Sequence, residues 1–519
     1  MTRDVNRPST GPLVAVGWDA AEPSLIEAWM EDGTLPNLRR LRDEGGYRRL
    51  MSSADLLVGS PWPTFYTGTP PEVHGTYHFL QWRAESMSNV RPEPDWLPVV
   101  PFWHDLGSAD RRSLIIDVPM APPPLPFNGV EISGWSSHDR LGPPRSFPDD
   151  VLRAVVREFG DCPLGDELFG CPSMRSAFRI RDEILASTRL LADVAVAWLR
   201  RKPWDFALVA FGATHRGGHR LWDSSGIRGS VRPEDSRAIA TALQEIYVAC
   251  DDALGRIRDA APPAAKVVVF SLHGMGPNTS RVELLPEMLA RILHGRAALP
   301  SSARLGHAVQ SVLNRFPVEW RHAVKTRLPV SLKDWLTETW FTGRGDRSTQ
   351  RAFSLVADLH GYIRLNLRGR ELNGTVQPGD EVEDLCARIE AGLKSFVDAD
   401  TGEPVVDAVV RIDRRGLSGE RLQRLPDLVV TWHPSPSCRH RAVVSTELGT
   451  IPWPTPGKPA YGRSGNHRSD GFVTGLGDDG AGGHIVDLAP SFMAYLGVPP
   501  RASMRGRPLL SWGIEGAAS

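Results

Sequence analysis

The chain reads as an α/β protein built on a largely parallel sheet with helices on both faces. Three observations predict this: short unbroken apolar runs, amphipathic stretches of helical period between them, and polar, glycine-bearing turns where the runs stop. Val14-Ala15-Val16 is the first run and ends in Gly17-Trp18-Asp19, the pattern of a buried strand. Glu22 to Met30 follows as a helix with Pro23 in its first turn. Leu114-Ile115-Ile116, Val130-Glu131-Ile132, Phe206 to Phe211 and Lys266 to Phe270 are further strands. Arg181 to Arg200 carries Ile184, Leu185, Thr188, Leu191, Ala195 and Trp198 at helical spacing, and Ser236 to Asp259 is a second amphipathic helix.

Other stretches depart from this alternation. Residues 92–150 are proline-rich and read as loops and short strands lying over the sheet. Residues 278–350 turn toward Arg, Leu and Trp without clear strands, which predicts a mostly helical insertion. Residues 351–425 read as a small α+β subdomain over the cleft, with Gly361 to Leu367 alternating and Glu381 to Phe396 helical. The chain is expected to return to the sheet at Leu428-Val429-Val430 and to close with a helix, Ala489 to Leu496, after the turn at Gly475–Gly483. Residues 1–277 and 426–519 would then form one core.

A chain of 519 residues with 41% apolar and 23% charged residues has the make-up of a globular protein with a large core. Its net charge of −1 gives no overall attraction to nucleic acid or to an anionic membrane. No run reaches the ~18 apolar residues of a spanning helix, and the polar opening lacks the apolar centre of a signal peptide. The five scattered cysteines suit free thiols, so the expected location is the cytoplasm.

The chemistry lies where strands end. Three histidine-bearing turns follow or precede apolar runs: Thr214-His215-Arg216-Gly217-Gly218-His219, Ser271-Leu272-His273-Gly274-Met275-Gly276 and Gly465-Asn466-His467-Arg468. Asp19 closes the first strand, and Ser60-Pro61-Trp62-Pro63-Thr64 opens a helix. Open α/β sheets bind ligands at the carboxyl ends of their strands. Imidazoles, a carboxylate and a hydroxyl gathered there suit a divalent metal and an activated nucleophile. Each residue also has a plainer account. His215 and His219, four apart, share a helix face that is often merely solvated. Asp19 serves equally as an N-cap, His273 as a satisfied core histidine and His467 as a loop residue. Ser60 before Pro61 is an N-cap position, yet there its hydroxyl and the free helix N–H groups would meet one phosphoryl group. That hydroxyl needs a base or a metal to become a nucleophile. His74 and His78 read as structural. Arg364, Arg368 and Arg370 read as a solvated strand face that would otherwise reach a substrate anion.

Taken in order, these motifs resemble the alkaline phosphatase superfamily, in particular its type I phosphodiesterase/nucleotide pyrophosphatase branch. Gly17-Trp18-Asp19 through Leu35-Pro36-Asn37-Leu38 is similar to that branch's first strand, metal aspartate and following helix. Thr67-Gly68 through His74-Gly75, Ser271 to Gly276, His467 to Gly471 and Ile485 to Leu510 resemble its later motifs in the same sequence order. The resemblance implies a three-layer sandwich and a phosphoesterase acting on phosphodiesters or nucleotide pyrophosphates through a phosphoserine. It implies one metal site of His215, His219 and His467 and a second of Asp19, Ser60 and His273, with Ser60 the nucleophile. The ions would be zinc or manganese, one or two of them, and the partner a small phosphorylated substrate.

Three departures accompany the resemblance. Leu272 stands where the branch has an aspartate, an imidazole replaces a carboxylate near Ala213 or His215, and the segment from Ser60 to Thr67 is about two residues short. The last leaves Thr64 open as the alternative nucleophile. The first leaves open a catalytically reduced member that binds a phosphorylated ligand or a protein; a phosphomutase is a further alternative. A sulfatase is disfavoured, because Ser60-Pro61-Trp62-Pro63-Thr64 lacks the arginine of that nucleophile motif.

Overall fold

The computed structural model describes residues 11–92, 96–137, 141–164, 170–295, 328–342, 347–477 and 482–509. Eight strands form the central sheet, in the edge-to-edge order Tyr47–Leu50, Gly471–Thr474, Lys266–Ser271, Leu13–Trp18, Phe206–Phe211, Ser113–Ile116, Gly129–Ser133 and Arg145–Phe147. The five from Lys266–Ser271 to Gly129–Ser133 are mutually parallel. Gly471–Thr474 runs antiparallel to both its neighbours, and Arg145–Phe147 closes the far edge antiparallel.

Both faces of the sheet are covered, and that is why its strands read as unbroken apolar runs. Successive residues of Leu13–Trp18 divide between two cores. Val14, Val16 and Trp18 pack with the helices Pro23–Glu31, Met174–Arg201 and Pro233–Ala260. Leu13 and Ala15 join Phe65, Phe102 and Phe492 on the opposite face, under the helices Pro61–Thr67 and Leu488–Tyr495. The three-layer sandwich is the expected one. Both long helices begin earlier than the periodicity predicts. One starts after Ser173, whose hydroxyl accepts from the Ser176 N–H, the other at Pro233.

Two assignments of strands to sheets need correction. Ser113–Ile116 and Gly129–Ser133 belong to the central sheet instead of lying over it, despite the prolines around them. Leu428–Trp432 does not rejoin that sheet. It is an inner strand of a separate antiparallel sheet, ordered Ala352–Ser354, Gly361–Leu365, Leu428–Trp432 and Val406–Arg411. An apolar run specifies burial but not which edge it will pair with. Here Val429 and Val430 are buried with Ile363 and with Ile389 of the helix Asp380–Lys394 in a core of their own. The chain re-enters the central sheet only at Gly471–Thr474.

Within 278–350, helices Leu285–His294 and Val330–Thr342 are described, while 296–327 lie outside the described residues. Arg364 is not solvated: it is 1% exposed and donates to Glu371 (2.8 Å) and to the Gln423 and Leu425 carbonyls. Arg370 pairs with Glu371 and Asp427, and of the three arginines Arg368 is the exposed one. Cys250, Cys386 and Cys438 are free thiols. Among the described residues, no helix is long and apolar enough to cross a membrane.

Candidate active site

Three neighbouring parallel strands, Lys266–Ser271, Leu13–Trp18 and Phe206–Phe211, end on one side of the sheet and deliver His273, Asp19 and the helix Ala213–Leu221 there. His215 and His219 sit one turn apart on that helix, on one face, as their spacing requires. His467 arrives differently. Gly465–Arg468 pairs antiparallel with Gly274–Pro277, setting His467 opposite Met275 and bringing its ring within 4.8 Å of that of His273. Close backbone approach makes this fit: a Cβ on Gly465 would stand 2.2 Å from the Gly218 carbonyl oxygen.

The imidazoles of His215, His219 and His467 are all buried, and one ligand atom from each lies within 4.8 Å of the others. Their ring centroids are 4.5 to 5.1 Å apart. His219 Nδ1–H donates to the Gly465 carbonyl (2.9 Å), so in a neutral ring Nε2 is the lone-pair nitrogen. Burial, reinforced by His273 and His219, holds His467 well below the usual imidazole value and so keeps it neutral. Three buried imidazole nitrogens are a donor set that suits a divalent ion such as zinc.

Asp19 is not the cap of the following helix. Glu22 takes that place, accepting from the Ser24 N–H. Asp19 is 2% exposed, accepts from Trp62 Nε1 (2.8 Å) and lies 3.8 Å from His273 Nε2. The Thr214 hydroxyl donates to its carbonyl (2.6 Å), tying this strand end to the histidine helix. Gly17 lets the Trp62 ring close over the strand, since a Cβ there would lie 2.9 Å from it. Leu272, where an acid was expected from the resemblance, is 1% exposed and packed into the apolar core.

Ser60 occupies the N-cap position, with Pro61 next, but its hydroxyl makes no capping bond. It donates to the Leu57 carbonyl (2.6 Å) and lies 2.7 Å from Ser53 Oγ. Thr64 Oγ1 lies 3.3 Å from Ser53 Oγ and 3.0 Å from His74 Nε2. His74 Nδ1 accepts from the Thr76 N–H (3.0 Å), and burial pushes this imidazole down to about 3. The neutral ring therefore carries its proton on Nε2 and donates it to Thr64. The result is a hydrogen-bonded chain of His74, Thr64, Ser53 and Ser60, in which His74 donates to Thr64 and the Ser60 hydroxyl is directed at both Ser53 Oγ and the Leu57 carbonyl. His74 is thus a donor to Thr64 and not its base.

This arrangement has a pH signature. His74 is neutral when folded and, with an ordinary value of 6.5, protonates on unfolding. Between about pH 6.5 and 3 the unfolded chain binds the extra proton, so stability present above that window is lost as pH falls, by up to ~1.4 kcal/mol per unit. Replacing His74 with Gln is expected to flatten the acid limb of stability by about one proton; urea unfolding from pH 7 to 4 measures it.

One site residue has no counterpart in the sequence reading. Asp358 precedes the strand Gly361–Leu365 of the second sheet, yet it reaches the His467 turn. It accepts from Arg463 Nη1 (3.0 Å) and lies 3.2 Å from His78 Nε2. Its carbonyl accepts from Asn466 (3.2 Å), whose own Oδ1 accepts from the His467 N–H (2.9 Å). No motif marks it, because it comes from a sheet remote in sequence.

Fold and site together define an α/β protein with imidazoles and a carboxylate collected at the strand ends of a parallel sheet. The type I phosphodiesterase/nucleotide pyrophosphatase model matches residues 13–441, and the chain belongs to that family of phosphoester hydrolases. No curated protein matches it in sequence. Among solved structures, phosphonoacetate hydrolase from Sinorhizobium meliloti 1021, in complex with phosphonoformate, is similar at 14% identity and a TM-score of 0.48, over 95% of this chain and 97% of that one. Human ectonucleotide pyrophosphatase/phosphodiesterase 5 is similar at 10% identity and a TM-score of 0.46, over 94% of this chain and 96% of that one.

Proposed function

We propose that the protein is a metal-dependent phosphodiesterase or nucleotide pyrophosphatase that works through a covalent phosphoserine. The observation that carries this is the buried trio His215, His219 and His467, with Asp19 and His273 beside it. His215, His219 and His467 would hold one divalent ion, and Asp19, His273 and Ser60 a second. Zinc suits three nitrogens best, while the site with a carboxylate also suits manganese. Such ions, when bound, offset the negative charge that develops on phosphoryl oxygens.

The chain's own groups do the rest. Ser60 is the hydroxyl nucleophile: its proton is donated to the Leu57 carbonyl at rest. As the Oγ–phosphorus bond forms, the bond from phosphorus to the leaving-group oxygen breaks and the departing oxygen takes up the proton through solvent. Ser53 steadies Ser60 from behind. Thr64 is the poorer candidate, since its oxygen already accepts from His74 and its N–H is bound within the helix to the Ser60 carbonyl. Asp19 is held in place by Trp62 and, through its backbone, by Thr214. The substrate is a small phosphorylated molecule, and the protein acts in the cytoplasm.

Leu272 favours a second reading, a reduced family member that binds a phosphorylated ligand without turning it over. One missing carboxylate removes a ligand and a negative charge. Hydrolysis of bis-p-nitrophenyl phosphate and p-nitrophenyl phosphate by metal-free protein, titrated separately with zinc and manganese, separates the two. Metal-dependent turnover favouring the diester is expected. Absence of both metal binding and turnover would favour the binding protein.

A further inference from the structure

The sequence leaves the imidazole cluster without a carboxylate of its own. Asp358 is tied to the His467 turn, and it arrives paired with a cation. Its side chain is 17% exposed and that of Arg463 5%, so neither charge is well screened by water. Both are tied to the segment bearing His467: Arg463 lies four residues before it on the same turn, and Asn466 links the Asp358 carbonyl to the His467 N–H. His78 completes the support. Its Nδ1 accepts from the Leu80 N–H, so in a neutral ring Nε2–H donates to Asp358. Burial pushes the Asp358 carboxyl upward, but the Arg463 guanidinium and the hydrogen bond from His78 hold it well below its usual range.

We infer that Asp358 and Arg463 form a charge-balancing pair, delivered jointly by the second sheet and the His467 turn, that sets how tightly the imidazole cluster holds a divalent cation. The inference rests on the reading of His215, His219 and His467 as metal ligands. Three neutral imidazoles bring no negative charge to offset a divalent ion, so nearby fixed charges weigh heavily on its affinity. With both partners present the pair is neutral. Removing either one exposes the other to the cluster, with opposite sign.

The test is the zinc dissociation constant of the full metal-free chain, read by competition with a chromophoric chelator and independent of turnover. Asp358→Asn keeps the shape and can still accept from Arg463 and His78, so it removes charge with little else. It is expected to weaken zinc by about tenfold or more. Arg463→Gln is expected to tighten it several-fold, and the double variant to return near the parent. Asp358→Glu, which keeps the charge, is expected to stay within about threefold of the parent. Loss of zinc affinity in both single variants, or no change in either, would overturn the inference and leave the pair a structural strut. Failure of the parent chain itself to bind zinc would instead overturn the metal reading on which the inference stands.

Discussion

Alanine at His219 is expected to remove bound metal and to lower turnover at least a hundredfold. The orientation of His219 is fixed by the Nδ1–H bond to the Gly465 carbonyl at 2.9 Å. A ligand aimed in this way loses both its nitrogen and its orienting contact on truncation, and even second partners of metal ligands contribute roughly 10- to 100-fold. The side chain is also fully buried, so some loss of stability accompanies the change. Metal content of the purified variant, measured with its thermal unfolding, separates the effects. A folded variant with full metal and parental turnover would remove His219 from the centre.

Alanine at Ser60 is expected to abolish turnover, by a thousandfold or more as for other excised nucleophiles, while metal content stays nearly unchanged. The contrast with His219 is the informative part, since one change removes the reacting oxygen and the other the ion. Thr64→Ala is the companion experiment. It breaks the hydrogen-bond chain at its second member but leaves Ser53 and Ser60 in contact. A modest effect is therefore expected. Near-parental rates in Ser60→Ala with loss in Thr64→Ala would move the nucleophile to Thr64 and leave the phosphoryl-enzyme mechanism otherwise intact.

Much of this protein is legible in its sequence. The runs at Val14, Phe206 and Lys266 had to be buried strands, because nothing else hides unbroken apolar stretches between amphipathic helices. The i,i+4 spacing placed His215 and His219 on one face of a short helix whatever surrounded it. Other points were read correctly in kind but not in place. Leu428-Val429-Val430 is a buried strand, but in the second sheet. Arg364 alternates along its strand like a solvated residue, yet it is buried on its Glu371 partner.

What the sequence by itself determined is local: which segments are strands, which are helices, and which chemistry-bearing residues sit at their ends. Those follow from periodicities of two and 3.6 residues and from turn chemistry, which act over a few residues. Only the tertiary structure decided convergence. The strands ending at Trp18, Phe211 and Ser271 had to be neighbours, and Gly465–Arg468 had to pair with Gly274–Pro277, for four separated segments to meet. Asp358 shows the same limit most plainly. An isolated aspartate in a loop carries no local signal, and its place beside His467 arises from the packing of the second sheet against the turn that re-enters the first.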